Sequence, residues 1–333
     1  MKKSVFFCGA LAAILSVITF SCESLSGILA TPSLSMKGVG IKSLDLEGIT
    51  FNVDYSITNP YPVAFTIDKL EGNLLQDSST YAKIVTDKGI SVAAMGSKTN
   101  SVNFKIPYDK IISMAKGASS SSSKKALPFT FDGNVSLNLS EALGAGQNLT
   151  LPFSKSFEVP VIKPSLSVSN PKIQLPTLGD LKSSLVNGGM NPVKAATVAA
   201  SILAGRSLSS DTFDGVDLNL DLNFDLNVAN AGSAAWNFLI NSCSLQDTAG
   251  KTLANVSPVG GNSISTSSGK IPMKVSLNTL KSGNFIVQLL NKKGSNPTFV
   301  LDSGLSFPET SYAPNLPLKY KKEISLSSVN ITR

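Results

Sequence analysis

The sequence predicts a mainly β protein made of two tandem β-sandwiches, each with a short helix, the second enlarged by a helical insert. Three observations predict it. Two long segments alternate apolar and polar residues: Ile49, Phe51, Val53, Tyr55 and Ile57 in one, and Leu218, Leu220, Leu222, Phe224, Leu226 and Val228 in the other. Such period-two alternation belongs to a strand with one face on a core and one in water. Next, Pro32-Ser33-Leu34-Ser35 recurs as Pro164-Ser165-Leu166-Ser167, and similar landmarks follow each copy in the same order. Finally, the apolar runs are short and broken by turn residues, with 25 Gly and 17 Pro in 333 residues, as sandwiches require.

The amino terminus reads as an address. Lys2-Lys3 precedes an apolar run from Val5 to Phe20 and then Ser21-Cys22, the layout of a secretory signal. The run is short for a membrane-spanning helix. Thr19-Phe20-Ser21-Cys22 resembles the lipobox of bacterial lipoproteins, which implies cleavage after residue 21 and acylation of Cys22. Each buried methylene adds about 0.8 kcal/mol, so several acyl chains anchor a protein stably. The expected partner is therefore a membrane, reached through Cys22, and the expected location is the bacterial cell envelope, periplasmic or surface-exposed. Residues 1–21 form the signal and 22–31 a tether. Cys8 leaves with the signal and an acylated Cys22 cannot pair, which leaves no intramolecular disulfide. Cys243 is expected to be a small buried apolar residue.

The first sandwich is placed at 32–163. Its long strand enters the turn Asn59-Pro60-Tyr61-Pro62, where Asn hydrogen-bonds nearby backbone and Pro fixes φ. The return strand ends at Lys105-Ile106-Pro107. Tyr108 to Lys116 sets Ile111, Ile112 and Ala115 on one helix face. Phe129-Thr130-Phe131-Asp132 and Leu151-Pro152 mark the later strands. The second sandwich, 164–333, answers each landmark: Asn230-Ala231-Gly232, Lys270-Ile271-Pro272, a helix over Thr279–Asn291 with Leu280, Phe285, Ile286, Leu289 and Leu290, then Phe299-Val300-Leu301-Asp302 and Leu316-Pro317.

Ile49 to Lys110, with its long strand, Asn59-Pro60 turn, Phe65-Thr66-Ile67 and return through Phe104-Lys105-Ile106-Pro107, resembles the late-embryogenesis-abundant type 2 family and its water-stress and hypersensitive-response (WHy) domain. The resemblance extends more weakly over 164–333, where no Pro follows Asn230. It implies immunoglobulin/fibronectin-like sandwiches with one helix each, a role in stress or desiccation, and no catalytic residues to carry over.

The interval from Ser167 to Asn230 exceeds that from Ser35 to Asn59 by about 39 residues. This insert, about 175–211, is expected to hold two helices, one opened by Gly179-Asp180 and closed by Gly188-Gly189. The other runs from Val193 to Leu208, capped by Asn191-Pro192, with Val193, Val198, Ile202 and Leu203 exposed. It reads as a lid across the sandwich or the junction of the two. The alternatives are a mobile element that touches a membrane or one that closes over an apolar ligand.

The chemistry is narrow. The chain has no His, which removes Ser-His-Asp and Cys-His catalysis and imidazole metal ligands. Asp211, Asp214, Asp217, Asp221 and Asp225 suggest a calcium ladder, but i, i+2 neighbours on a strand lie roughly 6.5 Å apart; they read as a solvated face. The serine tract Ser119 to Ser123 reads as a loop. Net charge is +7; without Lys2 and Lys3 it falls to 7 − 2 = +5, and the remaining lysines cluster only at Lys124-Lys125, Lys292-Lys293 and 319–322, a poor platform for nucleic acid. No cofactor or metal is expected. The sequence thus points to a non-enzymatic envelope lipoprotein that protects or binds other macromolecules. A lipid- or apolar-ligand-binding protein, possible partners being lipid or envelope proteins, and a structural or adhesion module are the alternatives.

Overall fold

A computed structural model describes residues 31–86, 89–117, 124–138 and 148–332. Cys22, the signal-like segment and the serine tract lie outside the described residues. The first strand set comprises β1 (Ser33–Leu44), β2 (Gly48–Thr58), β3 (Phe65–Gln76), β4 (Ser79–Thr86), β5 (Ile90–Val92), β6 (Ser97–Pro107), α1 (Tyr108–Gly117), β7 (Ala126–Asn138) and β8 (Asn148–Pro160). The second comprises β9 (Pro164–Gln174), α2 (Leu178–Asn187), α3 (Pro192–Ala204), β10 (Asn219–Asn230), β11 (Asn237–Gln246), β12 (Thr252–Pro258), β13 (Ser263–Ile264), β14 (Ser268–Asn278), α4 (Thr279–Asn291), β15 (Thr298–Ser306), β16 (Leu316–Glu323) and β17 (Asn330–Thr332).

The long alternating segments are β2 and β10, each the middle strand of a layer. Ile49, Phe51, Val53, Tyr55 and Ile57 are all essentially inaccessible, so the apolar half of the pattern is the core half. In the first set, β1-β2-β6 faces β4-β3-β7-β8, with β5 paired to β3. In the second, β9-β10-β14 faces β16-β15-β11. There β12 pairs first with β11 and then with β14, joining the layers along one side. A parallel contact between Leu44 and Leu318 links β1 to β16.

The register defines two ends in each set. In the first, Thr58 faces Ser97 at one end and Gly48 faces Pro107 at the other. Ala126 faces Pro160 at that second end, where the chain passes into β9. The second set begins there, because Pro164 faces Asn230. The two sets therefore stand end to end, the Gly48 end of the first against the Asn230 end of the second. Burial follows this arrangement. One apolar cluster runs from Ile49, Phe51, Tyr108 and Phe129 into the whole second set, while Val53, Tyr55, Ile57 and Phe65 belong to a separate cluster at the far end of the first.

Several expectations need correction. Pro107 ends β6 opposite Gly48 and Asn278 ends β14 opposite Asn219, so Lys270-Ile271-Pro272, lying early in β14, is not the counterpart of Lys105-Ile106-Pro107. α3 begins at Pro192 as expected, with the Asn191 side chain accepting from Val193 N at 2.9 Å, but it stops at Ala204 because Gly205 turns left-handed (φ 66°). Val198 and Ile202 are buried, not exposed; Val193 alone of the four stands clearly in solvent. Leu280 is 59% exposed, since the backbone leaves helical geometry at Ser282 (φ −136°) and the first turn of α4 faces away from the rest.

The insert reaches from Leu175 to Leu218, and it lies far from the junction. Asp217 N donates to Gly188 O, Leu218 N to Thr279 Oγ1, and Leu208 N to the Asn291 side chain. All these partners sit at the end of the second set opposite Asn230. Leu181, Leu185, Ala195 and Ala199 are fully buried, so the helices are a packed cover on that end.

Candidate functional site

The residues that sequence reasoning singled out form two matching brackets. Asn59 is fully buried. Its Oδ1 accepts from Tyr61 N at 2.9 Å, and its Nδ2 donates to Val63 O, Ala93 O and Val92 O at 2.8, 3.0 and 3.3 Å. Asn230 does the same at the same offsets: Oδ1 accepts from Gly232 N at 2.9 Å and Nδ2 donates to Ala234 O at 3.1 Å. Each carboxamide thus ties i+2 and i+4 into one turn, and the two turns match although no proline follows Asn230. With every polar atom of Asn59 engaged and none exposed, its chemistry is spent inside the turn. Pro60, half-buried beside it, fixes the outgoing φ.

The second bracket also fastens the junction. Lys163 N donates to Asn230 Oδ1 at 2.9 Å, Ala231 N to Lys163 O and Ala234 N to Val161 O, both at 3.0 Å. Gly232 is required there: a Cβ would stand 2.0 Å from Val161 O and 2.5 Å from Ile162 Cα. Lys163 Nζ reaches Asp109 of α1 at 2.7 Å, an exposed pair that holds the Asp109 carboxyl below its usual range. A third fastening is the segment between β15 and β16. It climbs the first sandwich along β1 and β8, setting the Tyr312 ring 6.1 Å from Phe51 while its hydroxyl donates to Glu158 O. Burial there raises the Tyr312 phenol above its ordinary pKa, with Glu158 adding to the effect. Lys125 and Glu309 pair across the same seam. None of these junction contacts was foreseen; the close approach demanded by Gly232 was the one available signal.

The aspartates of β10 meet cations and amides across the strands. Asp221 pairs with Lys274 at 2.7 Å and accepts from Ser276 at 2.6 Å; Asp225 lies 3.3 Å from Lys270 and accepts from Asn170 at 2.8 Å. Asp217, two residues before β10, accepts from Asn278 at 2.7 Å. Among the described residues no group of three or more potential metal-ligating side chains comes together, and no helix is long and apolar enough to cross a membrane. Cys243 is half-buried, its Sγ 3.4 Å from Val256 O, and burial pushes its pKa to about 11. In the 319–322 lysine cluster, Tyr320 turns inward and is buried, so it offers no stacking face. The surface grooves are lined by polar and apolar atoms alike, and one of about 680 Å³ lies between Asn219, Ala254, Ser276 and Leu280. One of about 290 Å³ lies at the kink of α4 between Asp247, Lys281, Asn284 and Gln288; another, about 370 Å³, lies under Tyr312 between Gly38, Lys155 and Glu158.

No protein-family model matches the chain, and no curated protein sequence matches it. Solved structures similar to it include that of a putative late embryogenesis abundant protein, 19% identical, with 39% of this chain and 71% of that one covered and a TM-score of 0.31. A protein from Arabidopsis thaliana is 17% identical over 43% of this chain and 89% of its own, with a TM-score of 0.32. One from Archaeoglobus fulgidus is 8% identical over 38% and 97%, with a TM-score of 0.29. Functional argument therefore rests on this chain's own residues.

Proposed function

We propose that the protein is a non-enzymatic lipoprotein of the bacterial cell envelope, held to a membrane through acylated Cys22. Its two sandwiches act as one stiff, polar-surfaced body of the late-embryogenesis-abundant type 2 (WHy) kind that shields or holds other macromolecules under water stress. The observation that carries this reading is the fastened junction, where the Asn230 bracket, the close approach of Gly232 and the Tyr312 segment act together. A body without a loose joint keeps its polar faces in fixed relation, which suits a spacer or shield. Lipid carriage is less well supported, because the interior between the layers is filled: Phe51, Phe104, Phe129 and Phe157 lie within 5.3–6.0 Å of one another in successive ring pairs. The lack of His favours a role without acid–base chemistry.

The test has two parts. The chain from residue 23 onward is dried with a desiccation-sensitive reporter enzyme, and recovered activity is compared with that given by equal mass of serum albumin. Recovery no better than albumin's overturns the protective role. Mass spectrometry of detergent-extracted full-length protein reads the tether: an acyl-modified Cys22 at the mature terminus is expected, and an unmodified or uncleaved chain overturns it.

A further inference from the structure

The two sandwiches are closed differently along one side. In the second, β12 leaves β11 and pairs with β14, bringing Val256 beside Val275, Ser257 beside Lys274 and Pro258 beside Met273. Val275 is fully buried as a result. In the first, the corresponding strand β4 stays on β3 throughout, from Gln76↔Ser79 to Leu70↔Thr86, and β5 does so too. Among the described residues, strand β6 is left at the edge of its layer, three strands face four, and β4 lies opposite no strand.

The exposure pattern records the gap. Phe104 stands three residues before the end of β6, opposite Phe51, as Val275 stands three before the end of β14, opposite Leu222. Val275 is sealed whereas Phe104 is only half-buried. Ile84 shares the inner face of β4, since its partner is Gly72 between buried Leu70 and Leu74. It too is half-buried, and no residue of β4 is fully buried. Both Ile84 and Phe104 touch the two apolar clusters of the molecule, so the gap opens onto the core.

We propose that the β6 edge receives an extended segment of a partner polypeptide, added antiparallel as β12 is added to β14, with a branched apolar residue against Phe104 and Ile84. An unpaired edge supplies main-chain bonds, and the half-buried Phe104 and Ile84 supply an apolar contact, the two elements of recognition by strand addition. A second copy of this chain fits poorly. Lys98 lies opposite buried Ile57 and so on the inward face of β6. Full antiparallel overlap of two β6 strands sets each Lys98 against the other's Ile106, and a slip of one residue reverses the faces. A short strand over Asn100–Ile106 avoids that conflict. An acidic residue six positions after the apolar anchor lies opposite Lys98.

The chain from residue 23 onward is titrated with a synthetic peptide of residues 251–259, which contains β12, and amide hydrogen exchange is followed strand by strand. Saturable binding with new protection confined to β6 is expected, weakened by about tenfold or more when Val256 of the peptide becomes proline. A longer peptide, 251–262 with Asn262→Glu, should bind more tightly than its parent, and Lys98→Ala in the protein should remove that gain. No binding, or protection of β14 instead, overturns the proposal. So do β6 amides already protected in the free protein: in a dimer they identify a second copy as the occupant, and in a monomer the chain's own residues.

Discussion

At the scale of single residues, the buried carboxamides carry more stability than their size suggests. Removing the Asn59 side chain takes the acceptor from the buried Tyr61 N–H and the donor from the carbonyls of Val63, Val92 and Ala93, of which Ala93 O keeps Gly96 N. Asn59→Ala should cost about 2–4 kcal/mol, read as a fall in the urea midpoint, and Asn59→Asp should rescue little of it, because a carboxylate restores the acceptor for Tyr61 N but no donor for the carbonyls. The Tyr108 hydroxyl presents the opposite case: it is buried and has no hydrogen-bond partner among the described residues. Tyr108→Phe should therefore leave stability unchanged or raise it by about 1 kcal/mol, and a clear loss would reveal a partner. Cys243 gives the pH dependence. Its folded pKa of about 11 lies above the unfolded value, so the native state keeps a proton that the unfolded chain releases. The stability tied to the thiol is complete below the unfolded pKa and is lost as pH rises through the folded one. In the chain from residue 23, where Cys243 is the single cysteine, alkylation by iodoacetamide at pH 8 should be slow when folded and fast in denaturant. It should speed up toward pH 11.

At the scale of elements, local pattern and long-range pairing separate cleanly. β2 and β10 were legible because a half-buried strand writes its two faces directly into the sequence, and α1 and α4 because their apolar spacing follows helical turns. The Asn191-Pro192 start of α3 was legible for the same local reason. Its buried face was not, because Ala195 and Ala199 look neutral until something packs on them. The false pairing of Lys105-Ile106-Pro107 with Lys270-Ile271-Pro272 shows that a shared tripeptide fixes no register, which depends on strands opposite. Whether a strand stays on its neighbour, as β4 does, or crosses, as β12 does, is likewise decided across the fold. The segment between β15 and β16 belongs here too, since its Tyr312 ring packs near Phe51, far from its own strands. Tyr312→Ala should lower stability by about 2 kcal/mol, less than the 3–5 of a fully buried ring. Hydrogen exchange should rise along β1 and β8; an effect confined to β15 and β16 would show that the ring does not bind the seam.

At the scale of the whole molecule, the insert and the junction become two answers to one problem. Each sandwich has an end where its first two long strands connect and its helix begins. In the first set that connection is only Asp45-Leu46-Glu47, and the end is buried because the second set stands on it, with Tyr108 and Ile111 inside the shared core. Among the described residues, no sandwich stands on the matching end of the second set. There α2 and α3 replace the short connection, and their buried residues share one apolar cluster with Ile286 and Leu289 of α4. In stacked repeats the last unit needs a capping element with a polar outer side, and exposed Lys194, Thr197 and Ala200 lie on the outside of α3. This account predicts what happens when the cover is removed. Replacing residues 175–218 by Asp-Leu-Glu, the connection used in the first set, should leave a folded chain that associates through the bared end. Sedimentation velocity should show concentration-dependent dimers or longer stacks where the parent remains monomeric. If the shortened protein stays monomeric with an unchanged urea midpoint, the helices cover nothing that needs covering, and a role in contact with another molecule becomes the better explanation of the insert.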